Sequence, residues 1–197
     1  MKKIAIAATL ALILLCGQTV SATARQWSID SAHSNIYFSV AHIFSQIRGQ
    51  FNEFTAEVYF DPENLEQSRF SFQISTDSID TNIAKRDKHL QSADFFDAGQ
   101  YPLITFESKN IRDAGNGFYE IHGTLNIKGK DRDFLLPLSL AGIQEHPAAK
   151  DKEVAGFNGR VIIDRLEYGV GDGTFYKKGI VGKDVEIFVS LELLSSR

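Results

Sequence analysis

The residues best equipped for chemistry lie together in the segment SIDTNIAKRDKHLQSADFF, Ser78 to Phe96, where Lys85, Arg86, Asp87, Lys88 and His89 occupy successive positions. Three chemistries fit those residue types. Asp87 and His89 could act as acid and base in a hydrolase or isomerase working on a lipid or small hydrophobic substrate. Such a set also needs a nucleophile and an oxyanion site, and no GxSxG-like context is present. Lys85, Arg86 and Lys88 could instead donate to a diphosphate or a quinone oxygen of a ligand head group. In the third reading, the commonest for such a cluster, Arg86 and Asp87 are half-buried partners that dock a helix, and Leu90, Phe95 and Phe96 floor one end of the fold.

Other candidate ligating groups are dispersed. The histidines are His33, His42, His89, His122 and His146. None falls in an HExxH motif or pairs with another at helical spacing, and a tetrahedral zinc site needs converging ligands. His42 shares a strand face with Phe38 and Val40. It reads either as a hydrogen-bonded polar residue near a barrel end or as a contact to a ligand head group. Cys16 is the only cysteine and falls in the leader described below, which leaves no thiol nucleophile or Cys-based metal site in the folded domain. The GVGDG stretch at 169–173 has neither the strand–loop–helix context nor the Lys-Ser/Thr of a phosphate loop.

The elements that must position these residues announce themselves by period-two alternation. Ile36, Phe38, Val40 and His42 share one face of a first strand; Phe54, Ala56, Val58 and Phe60 a second; Phe70, Phe72, Ile74 and Thr76 a third; Ile104, Phe106 and Ser108 a fourth. Asn116-Gly117 is a hairpin signal leading to Tyr119, Ile121, Gly123, Leu125 and Ile127, and Gly129-Lys130-Asp131 turns the chain into Phe134, Leu136, Leu138 and Leu140. Ala155 to Ile163 and Val185 to Leu193 complete the set. One apolar and one polar face per strand, joined by short turns, predicts an all-β fold: an eight-stranded antiparallel barrel, with a two-sheet sandwich as the alternative. Two interruptions stand out. Residues 82–99 have helical spacing with Thr81 placed to cap the start, and residues 167–183 hold five glycines and read as a mobile loop.

The chain is expected to divide into a signal peptide, residues 1–24, and one domain, residues 25–197. Met1-Lys2-Lys3 is basic, Ile4 to Leu15 is apolar, and Ala22-Thr23-Ala24 offers a peptidase site. The apolar run is short of the roughly 20 residues of a spanning helix, so no transmembrane anchor is expected after cleavage. Formal charge is −4, and loss of Lys2 and Lys3 makes the mature chain more acidic still. Such a chain, with no basic block, is a poor partner for nucleic acid or an anionic membrane.

A barrel of this size is either filled by side chains or hollow enough for one small ligand. Inward positions mix Phe38, Phe54, Phe72, Phe106 and Phe157 with Ser34, Ala56, Thr76, Ser108, Gly123 and Gly159. That mixture fits efficient packing and an aromatic-walled cavity equally well. The segments DSAHSNIYFSVAHIF, RGQF, SIDTNIAKRDKHLQSADFFD, YPLITFES and GTLNIKGK resemble, in order, the signatures of the YceI-like family of exported, lipocalin-like polyisoprenoid-binding proteins. His33, Ser34, Phe38, Val40 and His42 match its first-strand pattern, and Ser78, Thr81, Arg86, Asp87, His89 and Leu90 its central signature; Asn82 stands where a Gly is common. The resemblance implies a periplasmic carrier or binder rather than an enzyme, without a cofactor, acting in transport, storage or stress protection. Its ligand would be an isoprenoid lipid or isoprenoid quinone in a barrel tunnel. Phe38, Val40, His42, Phe54, Phe72, Ile74, Arg86, His89, Phe106, Leu125 and Phe157 are the expected contacts, and a homodimer is left open.

Overall fold

A computed structural model describes residues 23–196. The expected leader therefore lies almost wholly outside the described residues. Strands β1 (Gln26–Ile29), β2 (Asn35–His42), β3 (Ser45–Phe51), β4 (Phe54–Tyr59), β5 (Arg69–Ser75) and β6 (Ile79–Asp80) precede helix α1 (Ala84–Gln91). Strands β7 (Leu103–Gly115), β8 (Phe118–Ile127), β9 (Lys130–Glu145) and β10 (Lys152–Asp164) follow, then one helical turn, α2 (Thr174–Lys177), and β11 (Val181–Ser196).

The ring β1-β4-β5-β7-β8-β9-β10-β11 closes through pairing of β1 with β11, so the sheet is an eight-stranded antiparallel barrel. The remaining strands extend broken staves. β1 and β2 both run antiparallel to β11, pairing Ser28 with Leu194 and Asn35 with Ser190. In the same way β3 pairs with β2 and β4 with β1, while β5 meets β4 and β6 meets β3. Counted as staves, the chain passes around the barrel strictly in sequence order, as short connections dictate.

The breaks have visible causes. Between β1 and β2, the Asp30 carboxylate accepts from the Ala32 amide at 3.0 Å, and the Ser34 hydroxyl donates to the Glu192 carbonyl at 3.2 Å. Asn116 and Gly117 both have positive φ, 55° and 77°, the backbone that a two-residue hairpin turn requires. The next turn falls at Lys128 and Gly129, φ 52° and 70°, one position earlier than the pattern around Gly129-Lys130-Asp131 suggested. Lys130 and Asp131 already belong to β9 and pair with Ile127 and Asn126.

One half of the barrel is solid. Phe60 is 1 % exposed, and its ring packs edge-on against Phe157 at 5.0 Å and Tyr119 at 5.1 Å, with Phe70 at 5.9 Å. Trp27 closes this end and donates from its indole Nε1 to the Phe60 carbonyl at 3.0 Å. Edge-to-face rings fill volume without leaving polar groups unpaired, which suits a core that has no disulfide. The other half, where β7, β9 and β11 begin and α1 lies, is different.

Candidate functional site: an apolar cavity at the helical end

That half encloses a cavity of about 170 Å³. Its walls come from Phe38 and Val40 of β2, Phe72 and Ile74 of β5, Phe106 of β7 and Leu125 of β8. All six are among the contacts expected from the sequence. The rest come from elements whose alternation marked them only as core, such as Phe134 of β9 and Val161 of β10, and from the segment covering the end: Leu90, Phe95 and Phe96. Every lining residue is hydrophobic except Arg165.

Five other expected contacts lie elsewhere. Phe157 belongs to the solid half, in the ring cluster around Phe60. Phe54 is half-buried at the start of β4, opposite Ile74. His42 ends β2, half-buried and opposite Val181. Arg86, half-buried, and His89, exposed, belong to α1 but are not among the lining residues. Alternation assigns a residue to the inner face of a strand but not to a height along the barrel, which is why Phe157 and Phe72 look equivalent in sequence.

The small inward residues do not make the cavity. A side chain at Gly123 would meet the Phe106 ring at 2.7 Å, one at Gly49 the Phe38 ring at 2.4 Å, and one at Gly159 the Leu138 side chain at 2.6 Å. These glycines give room to neighbouring large residues. The space lies instead between the strand ends and the covering residues Leu90, Phe95 and Phe96.

α1 is held by a compact polar knot. Its helical residues start at Ala84, with Ile83 as cap residue and no side-chain cap bond, so Thr81 is not the cap. Asn82 breaks the helix there, with φ at 62°, a left-handed backbone tolerable to Gly or Asn. Thr81 is 3 % exposed and binds inward: its amide donates to the Asp87 carboxylate at 2.9 Å, and its hydroxyl donates to the same Oδ1. Arg86 donates from Nε to the Thr81 hydroxyl and from a terminal nitrogen to the Thr81 carbonyl, each at 2.7 Å. His89 is engaged separately, its Nε2 lying 3.2 Å from Asp94 Oδ2 and its ring edge-on to Phe95 at 5.0 Å. Asp87 and His89 thus have different partners and form no acid–base pair with each other.

Arg165, at the end of β10, was not legible in sequence as a site residue. It is 6 % exposed. Nε donates to the Gly182 carbonyl at 2.8 Å and Nη1 to the Val170 carbonyl at 2.6 Å, tying the 165–180 loop to the barrel. Nη2 is buried with no hydrogen-bond partner among the described residues. Burial pushes the guanidinium below its ordinary pKa, an effect opposed by Asp164 and Asp172. A charged group in apolar surroundings with an unused donor is uncommon and calls for an explanation. The only hint in sequence is an Asp-Arg pair, Asp164-Arg165, directly after the apolar run Val161-Ile162-Ile163.

The base of that loop is clamped by Lys183, which donates to Asp164 and to Asp184 at 2.9 Å each. Burial alone would raise the Asp164 carboxyl, but Lys183 and the Leu166 amide outweigh it and hold the group below the usual range. At the other end of the barrel side wall, Asp30, His33 and Glu192 bring three ligand-type atoms within 4.8 Å of one another. His33 Nδ1 is 2.9 Å from Asp30 and 3.9 Å from Glu192, a network that pins the β1–β2 break to β11.

Residues 27–193 match the model of the YceI-like domain. A UPF0312 protein of Vibrio cholerae is 35 % identical over 173 residues, covering 86 % of this chain and 89 % of its own. Among solved structures, BcnA of Burkholderia cenocepacia superposes with a TM-score of 0.75 at 28 % identity, over 85 % of this chain and 99 % of that one. A polyisoprenoid binding domain from Saccharophagus degradans shares the fold with a TM-score of 0.63 at 12 % identity, over 89 % of this chain and all of its own.

Proposed function

The chain belongs to the YceI-like family, and on that premise we propose that it is an exported, periplasmic binding protein that holds a prenyl chain in the barrel. The ligand is a polyisoprenoid or the tail of an isoprenoid quinone. The observation that carries this reading is a cavity whose lining is hydrophobic apart from one arginine. Burying prenyl carbons there contributes about 0.8 kcal/mol per methylene-sized group, with little discrimination between chains of similar width. The polyisoprenoid binding domain that shares the fold supports the same ligand class.

Volume and lining together limit the ligand. An engineered apolar cavity of about 150 Å³ accepts benzene, so the space of about 170 Å³ takes a short stretch of chain as it stands. A longer tail has to move Leu90, Phe95 and Phe96 or leave the barrel between them. No polar atom faces the cavity, the Nη2 of Arg165 being buried behind its wall, so the part of the ligand held there is hydrocarbon and any polar head lies outside it.

Protein purified from its native source is the direct test. Organic extraction and mass spectrometry are expected to recover a prenyl lipid, and a periplasmic extract is expected to yield a chain that starts at Arg25. Extracts empty of lipid in repeated preparations, with no binding of added prenyl ligands, overturn the reading.

A further inference from the structure

The cavity ends at one level across most of the barrel. On each of β5, β7, β8, β9 and β10 two successive inward residues line it, about 7 Å of strand, and the next inward residue on each lines no part of it. On β5 the last lining residue is Phe72 and the next is Phe70, buried at 1 % exposure. The Phe70 ring lies 6.3 Å from Phe72 on the cavity side and 5.5 Å from Phe157 on the solid side. Its amide donates to the hydroxyl of Ser108, the next inward residue on β7, at 2.9 Å. Ring and backbone of Phe70 are therefore both fixed at the boundary between the two halves.

On β8 and β10 the next inward residues are Gly123 and Gly159, and these are the two places where a chain could pass deeper. Neighbouring strands close both. The Phe106 ring of β7 lies over Gly123, 2.7 Å from where a Cβ would stand, and meets the Phe134 ring of β9 edge-on at 6.1 Å. The Leu138 side chain of β9 lies over Gly159, 2.6 Å from the corresponding position, and is itself buried at 1 % exposure. The cavity is thus a cup with a blind floor, covered at its mouth by Leu90, Phe95 and Phe96. An apolar wall hardly distinguishes chains of one width, but a blind floor distinguishes them by length. Each part of a chain that fits above the floor gains the free energy of burial, and each part beyond the mouth gains little.

We propose that Phe70 and Leu138 set the length of chain this protein takes in: the barrel holds only the terminal end of its ligand, and the rest of the chain stays outside with the head. The proposal rests on the prenyl reading above and adds a limit on length to it. Its test is calorimetric titration of the mature protein with geraniol, farnesol and geranylgeraniol, each one isoprene unit longer than the last, and with straight-chain alcohols of matching length. In wild type, affinity is expected to rise from geraniol to farnesol and then to level off, geranylgeraniol binding within about three-fold of farnesol. Leu138→Ala and Phe70→Leu deepen the cup. In each, geranylgeraniol is expected to bind about ten-fold more tightly than farnesol, because about two further methylene-sized groups come under cover. Val161→Phe fills the cup from a lining position and creates no new void. It is expected to bring the plateau down to geraniol, and it keeps the test decisive if the deepened variants do not fold. A wild type whose affinity climbs about ten-fold or more at every added unit overturns the length limit and leaves the prenyl reading standing. Folded variants that all keep the wild-type length profile overturn it as well. A plateau seen with the straight-chain alcohols alone, and moved by the variants, upholds the limit and removes the prenyl reading. Binding of neither series overturns both.

Discussion

Arg86 grips Thr81 twice, through the hydroxyl and through the backbone carbonyl, at 2.7 Å in both cases. The Asp87 carboxylate takes the Thr81 amide and hydroxyl from the other side. One buried threonine thereby fastens the first turn of α1 to β6, and the cluster that looks most catalytic in sequence is a fastening. Replacing Thr81 by Val keeps the shape and removes the hydroxyl that both charged groups use. We expect a loss of about 1–3 kcal/mol, read as a lower midpoint in thermal unfolding, with amide exchange accelerated first at Leu90 and Phe95. A Thr81→Val protein with wild-type stability and exchange would remove the fastening role.

The two halves of the barrel should respond differently to truncation. Phe157 is 1 % exposed within the ring cluster, so Phe157→Ala should cost about 3–5 kcal/mol. Ile74 already borders empty space, and Ile74→Ala should fall near the low end for such changes, about 2 kcal/mol. For a domain of this size each kcal/mol moves the melting midpoint by about 2–4 °C. Equal losses at the two sites would contradict the division into a solid and a hollow half.

Arg165→Met preserves length and apolar contact but removes the unused donor. Binding of a plain hydrocarbon such as squalene should persist. Because Nη2 is buried and no polar atom faces the cavity, the preference between a prenyl phosphate or a prenyl quinone and that hydrocarbon should stay as in wild type, and the loss should fall on the loop as a lower melting midpoint. Because Arg165 also ties down the loop through Gly182 and Val170, the variant's melting curve must be recorded beside its binding. A folded variant in which that preference falls about ten-fold or more would instead put the guanidinium against a bound head group.

The Asp30–His33 pair gives stability a defined pH window. The hydrogen bond that His33 donates to the Asp30 carboxylate, then the charges of Asp30 and Glu192, hold the His33 imidazole above its ordinary pKa. Its contribution is complete below the unfolded value of about 6.5 and is lost as pH rises through the higher folded value. The bond with His33 holds Asp30 below its ordinary value, so its contribution is present above about 3.9 and is lost as pH falls through the lower folded value. The midpoint difference between wild type and His33→Gln should therefore be largest near about pH 5 and shrink on the alkaline side. NMR titration showing His33 at or below the ordinary histidine value would falsify this.

Much of the architecture is written in the chain. Alternation in β2, β4, β5 and β7 to β11 carries the barrel, because inner-face residues must repeat every second position wherever one face is buried. Asn116-Gly117 placed a hairpin correctly, since few other pairs accept two positive φ angles. The broken staves were not legible: β1 and β6 are short, β3 carries only Ile47 and Phe51 as large apolar residues, and their breaks depend on bonds to distant partners such as Ser34 with Glu192. Lipocalin-like fold and family followed from ordered motifs, which record local structure one segment at a time.

The location of the empty space depended on three dimensions. Phe72, which lines the cavity, and Phe157, which fills the solid half, have the same pattern around them, and only the stagger and closure of the barrel put them at different heights. Arg165 acquires its meaning from Val170 and Gly182, residues that loop back over it, and nothing in its own neighbourhood records that enclosure. Period, turn chemistry and motif order are local and survive in a string of letters, whereas volume and enclosure belong to residues that meet only when the barrel closes.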